Sequence, residues 1–366
     1  MASIDEEIKE IEAEIRETPY NKATEEHIGR LKAKLAKLKE EKIKKSEKQS
    51  GGSGYAIEKS GDATVILAGF PSVGKSTLLN ALTGADSEVA DYEFTTLEVI
   101  PGTLKYKGAD IQILDVPGIV SGASSGRGRG SEVISVFRSA DLLVLMVDAT
   151  RPERYHRIEK ELYEAGIRLN MDPPNVKIER RDSGGLEISS TVDLNLSEDE
   201  IKSILRENGI VNAHILIREN IDNDRLIDAI MRNREYLPSF VFVNKIDLLK
   251  GDQLSGVKSY FDENFDGDVL YGSAEECELD DLREVIFEKL GLIRTFLKPK
   301  SGEPDMEDPL ILERGDTIED LCKELHREFL RTFRYAKVWG DSADHPGQKV
   351  GIEHELSDGD IVSVFK

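Results

Sequence analysis

The chain has 366 residues, 39% of them hydrophobic and 33% charged, and this length predicts two or three domains of roughly 150 residues each. The formal net charge of −22 argues against a surface that binds nucleic acid throughout, and no apolar run approaches the roughly 20 residues needed to cross a membrane. The two cysteines, Cys277 and Cys322, lack the spacing of metal ligands and are interpreted as reduced thiols of a cytoplasmic protein.

Two amphipathic helices are predicted over residues 1–50, joined into a hairpin by a turn at Thr18-Pro19. The second helix is basic, with nine Lys or Arg residues and three acids between Ile28 and Lys48. These lysines could bind RNA phosphates, or they could pair with the acidic first helix, and the sequence leaves both interpretations open. The pattern that predicts the helices is an apolar residue at every third or fourth position, at Ile4, Ile8, Ile11, Ile15, Ile28, Leu31, Leu35 and Leu38.

Alternating strands and helices follow a glycine- and serine-rich linker at residues 51–62. Strands are predicted at residues 64–70, 111–116, 142–147 and 240–243, with helical segments between them. This alternation predicts an α/β fold with a mostly parallel sheet and helices on both faces. We assign residues 63–165 and 221–295 to this domain, because the interval between the last two strands is too long for one crossover.

Residues 166–220 are predicted to form a small inserted α/β domain. Two strands, 176–180 and 186–190, flank a glycine-rich turn and are typical of a β-hairpin. Ser197 and Glu200 form a capping box before a short helix, and a further strand is predicted at 214–217. Residues 296–366 are predicted to form a last unit, in which short strands and a helix over 318–330 make a β-grasp-like fold.

A phosphate-binding loop is predicted where the first strand meets its helix. The segment from Gly69 to Ser76 fits the pattern G-x-x-x-x-G-K-[ST]. Small residues let backbone N–H groups surround phosphate oxygens, and the helix N-terminus adds partial positive charge. Lys75 would reach the β- and γ-phosphates, and the Ser76 hydroxyl would bind Mg²⁺. The alternative is a chance glycine turn, which the placement between strand and helix disfavours.

Two further segments are predicted to sense the γ-phosphate. Asp115 ends a strand, where its carboxylate can hold the magnesium shell, and the Gly118 N–H can meet the γ-phosphate. The polar loop 91–96 offers a hydroxyl to Mg²⁺, and we predict Thr96 rather than Thr95. An ordinary loop leading into a strand is the alternative for this segment.

Guanine recognition is predicted at the segment Asn244–Asp247. The Asp247 carboxylate can accept two hydrogen bonds from guanine, whereas adenine lacks these donors. Asn244 can link the base to the phosphate loop, the Lys245 stem can cover the ring, and the Ala274 N–H can bind the guanine carbonyl. The predicted catalytic residues are Lys75, Thr96, Asp115 and Gly118, and the predicted magnesium ligands are Ser76, Thr96 and Asp115. The predicted nucleotide-binding residues are Gly69, Pro71, Ser72, Val73, Gly74, Lys75, Ser76, Thr77, Asn244, Lys245, Asp247, Ser273, Ala274 and Glu275.

Slow hydrolysis is predicted from Ile119, which follows Gly118 where a glutamine could orient the attacking water. Isoleucine cannot hydrogen-bond water, so a cation, a partner or another residue would be needed. Arg127 or Arg129, in the glycine-rich loop that follows, could supply positive charge to the transition state. The favoured alternative is that both arginines are solvated or contact a partner.

The motifs resemble those of the developmentally regulated GTP-binding (DRG) proteins, which are Obg-related translation GTPases. The resemblance covers nearly the whole chain and includes long segments outside the nucleotide motifs, at 21–24, 31–38, 126–130, 166–170, 173–175, 335–340 and 348–351. It implies an N-terminal helical hairpin, a GTPase domain with an insert that resembles a ribosomal-protein fold, and a C-terminal TGS domain.

The resemblance also implies partners and cofactors. It implies association with the ribosome or its RNA, and eukaryotic relatives use a stabilising protein, so a regulatory partner is a further candidate. Some related GTPases bind potassium through an asparagine where Ser72 stands, which makes K⁺ a second candidate cofactor beside Mg²⁺. Aromatic residues near the end of the chain could stack on bases, with core packing as the favoured interpretation; these are Phe333, Tyr335 and Trp339.

Three functions are compared as hypotheses. The first is an enzyme that hydrolyses GTP to GDP and phosphate and thereby switches a translation factor between ribosome-bound and free states. The second is a scaffold that bridges the ribosome and a partner, with incidental turnover, and Ile119 keeps this reading open. The third is an ATP-dependent kinase, which Asp247 opposes because it favours guanine.

Overall fold

The computed structural model describes residues 4–22, 24–49, 61–84, 99–116, 136–275 and 279–366. The chain divides into two compact units. The first contains residues 1–55, 122–138 and 160–236, and the second contains residues 56–121, 139–159 and 237–366. Within the described residues, no helix is long and apolar enough to cross a membrane.

Helices and strands alternate along most of the described chain. The helices are α1 (Ile4–Glu17), α2 (Glu25–Gln49), α3 (Lys75–Thr83), α4 (Arg154–Glu164), α5 (Glu198–Glu207), α6 (Asn223–Met231), α7 (Gln253–Asn264), α8 (Asp280–Lys289), α9 (Ile318–Leu325) and α10 (Arg327–Thr332). The strands are β1 (Ala63–Gly69), β2 (Ile100–Tyr106), β3 (Ala109–Asp115), β4 (Leu142–Asp148), β5 (Ile167–Leu169), β6 (Val176–Arg180), β7 (Leu186–Ser190), β8 (Ala213–Ile217), β9 (Glu235–Leu237), β10 (Ser239–Asn244), β11 (Val269–Tyr271), β12 (Leu292–Leu297), β13 (Leu310–Glu313), β14 (Tyr335–Trp339), β15 (Gln348–Val350) and β16 (Asp360–Phe365).

In the first unit, α1 and α2 pack together as a hairpin. Ile8 and Ile11 of α1 and Ile28 and Leu31 of α2 are buried, as their helical spacing predicts. Four lysines of α2 pair with carboxylates, which favours the pairing interpretation over free binding of RNA by this part of the helix. The ion pairs are Lys32–Asp224, Lys34–Glu7, Lys39–Glu12 and Lys42–Asp5.

The insert forms a three-stranded sheet in the order β6-β8-β7. The predicted hairpin between β6 and β7 is wrong, because β8 lies between them, antiparallel to β6 and parallel to β7. The physical reason is burial: Ala213, Ile215 and Ile217 of β8 are fully buried, whereas the apolar residues of β6 and β7 are only partly buried. The predicted capping box of Ser197 and Glu200 at the start of α5 is confirmed.

The hairpin and the insert share one hydrophobic cluster. Ala33 of α2 is fully buried there, together with Ile201 of α5 and Leu226 of α6. Since α6 contributes to this cluster, we propose that the insert extends beyond residue 220 to the end of this helix. The other predicted domain boundaries stay predictions.

In the second unit, six strands form a sheet in the order β11-β10-β4-β1-β3-β2. Every neighbouring pair is parallel except β2 and β3, which are antiparallel. The residues of β1 and β10 are buried along their whole length, as expected for strands covered on both faces. The predicted α/β fold class is confirmed.

The same unit contains a five-stranded sheet in the order β13-β12-β16-β14-β15. Ile318 and Leu321 of α9 pack with Val338 and Val362 in the core on one side of this sheet. The predicted helix over 318–330 is two helices, because the backbone of His326 is extended, with φ 176°. The His326 Nδ1 atom accepts the Glu328 N–H at 3.1 Å and thereby caps α10.

Candidate nucleotide-binding site

A cavity of about 430 Å³ opens in the second unit, where the loops after β1, β10 and β11 meet. These strands are parallel, so their carboxyl ends lie at one edge of the sheet, where ligands of open α/β sheets bind. The cavity is lined by Ser72, Gly74, Lys75, Ser76, Thr77, Asn244, Lys245, Asp247, Leu248, Ser273, Ala274 and Glu275. The structure therefore brings together three sequence segments that are predicted separately.

The phosphate loop needs its glycine at Gly74. This residue has φ 100°, a left-handed conformation that side chains rarely adopt. A Cβ atom there would lie 2.4 Å from the Asn244 side-chain nitrogen, which is closer than nonbonded atoms approach. Ser72 is also left-handed, with φ 64°, so the loop turns twice before α3 begins at Lys75. The turn brings the loop up to Asn244, the last residue of β10.

Lys75 is buried but weakly paired. The residue is 7% exposed, and its Nζ donates to the carbonyl oxygens of Gly69 at 3.3 Å and Phe70 at 3.4 Å. Among the described residues, the nearest carboxylate oxygen is Oδ1 of Asp115, 3.9 Å away. Burial lowers the pKa of Lys75 below its ordinary value, and the Asp115 charge opposes that shift. A buried ammonium with such long contacts is arranged to receive an anion.

Ser76 and Asp115 offer oxygen ligands side by side. The Ser76 Oγ donates to Oδ2 of Asp115 at 2.6 Å. The other oxygen, Oδ1, is buried and has no hydrogen-bond partner among the described residues. Mg²⁺ prefers hydroxyl and carboxylate oxygens, and a buried carboxylate oxygen without a partner is costly unless something binds it. The residues present therefore fit a magnesium ion.

Asn244 connects the phosphate loop with the loop after β11. Its Nδ2 donates to the Val73 carbonyl at 2.8 Å, and its Oδ1 accepts the Ala274 N–H at 2.8 Å. The Ala274 N–H, predicted to bind the guanine carbonyl, is thus directed at Asn244 in this structure. This use was missed because the sequence does not show that β10 and β11 are adjacent and end together.

Lys245 forms a second link to the phosphate loop. Its Nζ donates to the Ser72 carbonyl at 2.6 Å and to Oδ2 of Asp148 at 2.8 Å. Asp148 also accepts hydrogen bonds from Thr150. Burial opposes ionisation of Asp148, but the hydrogen bonds from Lys245 and Thr150 outweigh it and hold the pKa of Asp148 below its ordinary value.

The remaining predicted residues divide into three groups. Asp247 is exposed and lines the cavity beside Leu248, and Ser273 and Glu275 line it from the loop after β11. Gly69, Pro71 and Val73 belong to the phosphate loop but do not line the cavity. Other predicted residues lie outside the described part of the chain, namely Thr96, Gly118, Ile119, Arg127 and Arg129.

Two residues of the site were missed in the sequence. Asp148 ends β4 and holds the Lys245 ammonium, and a carboxylate at the end of a buried strand was an available signal. Leu248 is 57% exposed and lines the cavity next to Asp247. No sequence pattern marks Leu248 as a site residue, because only its position beside the cavity distinguishes it from other exposed leucines.

A phosphate loop after the central strand β1, with Asn244 at the end of β10 and Asp247 just beyond it, places the chain in the class of P-loop GTPases. Three sequence families match it in succession. The family described as 50S ribosome-binding GTPase matches residues 64–180, the C-terminal region of the MMR_HSR1 domain matches 183–292, and the TGS domain matches 293–366.

Relatives that match over the full length of the chain identify its family within this class. A GTP-binding protein of Methanocaldococcus jannaschii is 54% identical, and the match covers 99% of this chain and 92% of that protein. Developmentally-regulated G-protein 3 of Arabidopsis thaliana is 46% identical, with 100% of each chain covered. Ribosome-interacting GTPase 1 of Saccharomyces cerevisiae is 43% identical, again with 100% of each covered. The chain belongs to the developmentally regulated GTP-binding protein family, and its last 74 residues are a TGS domain.

Proposed function

We propose that this protein is a magnesium-dependent switch that hydrolyses GTP to GDP and phosphate and associates with the ribosome in the cytoplasm. The observation that carries the proposal is the cavity in which Lys75, Ser76 and Asp247 converge. The Lys75 ammonium and the Ser76 hydroxyl line the part of the cavity that would hold the phosphates. The Asp247 carboxylate lines the part that would hold the base. Membership of a GTP-binding family supports the same assignment.

Phosphate binding is the first part of the proposal. Lys75 would exchange its long contacts to two carbonyl groups for shorter, charge-assisted hydrogen bonds to the β- and γ-phosphates. The N–H groups at the start of α3 would bind the same phosphates. Ser76 and Asp115 would hold Mg²⁺, which neutralises the negative charge that develops on the phosphates during cleavage.

Base selection is the second part. Asp247 would accept the ring N–H and the exocyclic amine of guanine, and a bound base would cover both Asp247 and Leu248, which are exposed. An adenine in that place would leave the covered carboxylate without donors, which is unfavourable. Asn244 and Lys245 would hold this loop against the phosphate loop through the links described above.

Switching and hydrolysis are the third part. Strand β2 begins at Ile100, shortly after Thr96, and β3 ends at Asp115, shortly before Gly118. Both predicted sensor segments are therefore attached to one antiparallel strand pair, and the γ-phosphate would order them together. Because Ile119 replaces a glutamine, water attack on the γ-phosphorus would be slow without help. That help would come from Arg127, Arg129, potassium near Ser72 or a regulatory protein.

Ribosome association is the fourth part. It is supported by the match to the family described as 50S ribosome-binding GTPase and by the relative named ribosome-interacting GTPase 1. A nucleotide-dependent scaffold is the second candidate function, favoured by Ile119 in the sequence. Both candidates require GTP binding, and they differ in whether the ribosome accelerates cleavage.

Single-turnover hydrolysis distinguishes the two candidates. Protein in excess over γ-labelled GTP is followed with and without ribosomes, in potassium or sodium chloride. The switch predicts slow release of phosphate by the protein alone and faster release with ribosomes. The absence of any acceleration by ribosomes, together with nucleotide-dependent co-sedimentation, would favour the scaffold.

Asp247→Asn tests the base site. The amide can donate to the oxygen that xanthine carries in place of the guanine amine, so affinity should shift from GDP toward xanthosine diphosphate. Asp252→Asn is the matched control, because Asp252 is a nearby exposed aspartate that does not line the cavity. Unchanged GDP affinity in Asp247→Asn would remove the base-recognition argument.

A further inference from the structure

Strands β4 and β10 end together at the edge of the sheet that holds the cavity. The two strands are parallel, and their last residues, Asp148 and Asn244, lie directly opposite each other. The Ala149 N–H donates to the Asn244 carbonyl at 2.9 Å, which extends the pairing by one residue beyond β4. The side chain of Asp148 therefore lies next to Lys245, which follows Asn244 in the predicted guanine-recognition segment.

The backbone of Lys245 has an unfavourable conformation. Its φ is 66° and its ψ is 35°, a left-handed conformation that a residue with a long side chain rarely adopts. Such a conformation costs free energy and persists only where the surrounding contacts hold the chain in place. Among the described residues, the Lys245 ammonium is held by the Ser72 carbonyl at 2.6 Å and by Oδ2 of Asp148 at 2.8 Å.

The carboxylate of Asp148 divides its two oxygens between two tasks. Oδ1 accepts the Thr150 N–H at 2.9 Å and the Thr150 hydroxyl at 2.6 Å, which stabilises the turn after β4 and fixes the orientation of the carboxylate. The other oxygen, Oδ2, is thereby directed at Lys245. The Asp148 side chain is 18% exposed and that of Lys245 is 29% exposed, so water screens this ion pair less than it screens a fully exposed pair.

We propose that Asp148 is a positioning residue of the nucleotide site, which slows release of guanine nucleotide by holding the Lys245 side chain across the base. The proposal rests on the proposed function and on the expectation that the Lys245 stem covers the guanine ring. A flexible stem covers a ring steadily when its far end is held, and Asp148 supplies the negative charge that holds the ammonium. Asp148 is absent from the described residues that line the cavity, so it would act through Lys245 rather than by touching the nucleotide.

The competing explanation is that Asp148 stabilises only the turn after β4, and Asp148→Asn separates the two explanations. The amide oxygen of the new side chain can still accept both hydrogen bonds from Thr150. Its NH₂ group then faces the Lys245 ammonium and cannot accept a hydrogen bond from it. The variant therefore keeps the turn and removes the ion pair.

The test follows the release of a ribose-labelled fluorescent GDP from the full-length protein, with Mg²⁺ present and an excess of unlabelled GDP as the chase. The release rate is a property of the folded, loaded protein, so a variant that is merely less stable releases GDP at the parent rate. The variants are Asp148→Asn, Lys245→Met and the combination of the two.

Asp141→Asn is the matched control, because Asp141 lies next to the opposite end of β4 and is half-buried, as Asp148 is. Its Oδ2 accepts the Thr64 N–H at 2.9 Å, so the control also alters a carboxylate that is bonded to the backbone. Urea denaturation without nucleotide is measured for every variant and reports any loss of stability separately from the release rate.

Asp148→Asn should release GDP about tenfold faster than the parent, the effect of one lost charge-assisted hydrogen bond. The association rate should change by less than about twofold, because such a change acts mainly on dissociation. Lys245→Met should release GDP at least as fast as Asp148→Asn, and combining the two should have no further effect. Asp141→Asn should release GDP at the parent rate, even if it unfolds at a lower urea concentration.

Substitutions of Thr150 give a second test that does not depend on the folding of Asp148→Asn. Thr150 is exposed, so its variants should fold. Thr150→Val removes the hydroxyl that orients the Asp148 carboxylate and should speed GDP release roughly threefold. Thr150→Ser keeps the hydroxyl and should release GDP like the parent.

Three results would overturn the proposal. The first is release at the parent rate in Asp148→Asn, or in Thr150→Val if Asp148→Asn does not fold. The second is a full effect of Asp148→Asn in the Lys245→Met background, which would show that Asp148 does not act through Lys245. The third is equal acceleration by Asp141→Asn, which would assign the effect to a loosened β4. Failure of the parent itself to bind GDP would contradict the proposed function as well, which distinguishes that outcome from the other three.

Discussion

Among the described residues, each of the two compact units buries one lysine or arginine, and the two are paired very differently. In the first unit, Arg168 is 3% exposed and makes a bidentate ion pair with Asp228, at 2.6 Å and 2.9 Å. Its Nη1 group donates to the backbone carbonyls of Tyr163 and Ile167, and its guanidinium lies 3.7 Å from the Tyr163 ring centroid. In the second unit, the contacts of Lys75 with the described residues are all long, the nearest at 3.3 Å.

The difference shows how to distinguish a structural charge from a ligand-binding charge. Removing a charge from water is costly, and that cost is offset only when the charge is fully paired. The charge of Arg168 is neutralised within its own fold by the two carboxylate oxygens of Asp228, so its charge needs no ligand. In the described part of the chain, Lys75 has long contacts and Oδ1 of Asp115 accepts no hydrogen bond, and a phosphate and a metal ion would complete these two groups.

Asp228→Asn should have the largest effect on stability. The amide keeps the shape of the side chain but leaves the buried Arg168 without a counterion, which should cost about 3–5 kcal/mol in the free energy of unfolding. Urea denaturation measures this cost, and GDP affinity should be unchanged. Asp224→Asn is the matched control on the same helix. Asp224 pairs with Lys32 and its side chain is 35% exposed, so the loss should stay below about 1 kcal/mol.

Lys75→Met should have the opposite pattern of effects, with a large loss of nucleotide affinity and little change in stability. GDP and GTP affinity should fall about 100-fold, because charge-assisted hydrogen bonds to phosphate are worth about 1.5–3 kcal/mol each. The free energy of unfolding without nucleotide should change by less than about 1 kcal/mol, since the wild-type lysine gains little from its long contacts. A loss of several kcal/mol in the nucleotide-free protein would show that Lys75 is a structural cation, as Arg168 is.

The comparison also shows what could be predicted from the sequence. The phosphate loop and the Asn244–Asp247 motif could be placed because each has a local pattern that fixes its position after a buried strand. The Arg168–Asp228 pair could not, because its members are 60 residues apart and neither lies in a motif that predicts pairing. The same limit explains the missed links of Ala274 to Asn244 and of Lys245 to Asp148.

The order of strands in the sheet of the insert could not be predicted from local sequence pattern either. The strands β6 and β7 were predicted correctly with their turn, yet they do not pair, because β8 occupies the centre of the sheet. Only the burial of β8 against α5 and α6 decides this order, and burial is a property of the whole fold. The break between α9 and α10 at His326 is similar, since no proline or glycine marks it.

Ion pairs at the surface of the hairpin should have much smaller effects than the buried pair. Lys34 and Glu7 are 42% and 38% exposed, and Lys39 and Glu12 are 37% and 41% exposed. Lys34→Gln and Lys39→Gln should each cost less than about 1 kcal/mol, and the cost should shrink as salt rises. Lys45→Gln is the control, because Lys45 is an exposed lysine of the same helix with no ion pair among the described residues. A cost that is independent of salt would contradict a surface interaction.

The smallest effect should come from Asp320, a surface carboxylate whose contribution depends on pH. The hydrogen bond from Lys323, followed by those from Thr317, lowers the pKa of Asp320 from 3.8 to about 2. Between pH 2 and pH 3.8 the unfolded chain binds more protons than the folded one. The stabilisation from Asp320 is therefore complete above pH 3.8 and is lost as the pH falls toward 2. Asp320→Asn should therefore lower the free energy of unfolding by a few tenths of a kcal/mol at neutral pH, which is typical of a surface ion pair. The difference from wild type should vanish near pH 2. Glu319→Gln, which alters the other carboxylate bound to Lys323, should show no such convergence in urea denaturation across this range. If the stability of both variants approached that of wild type near pH 2, the effect would come from Lys323. It would then not come from the hydrogen bonds between Asp320 and Thr317 at the start of α9.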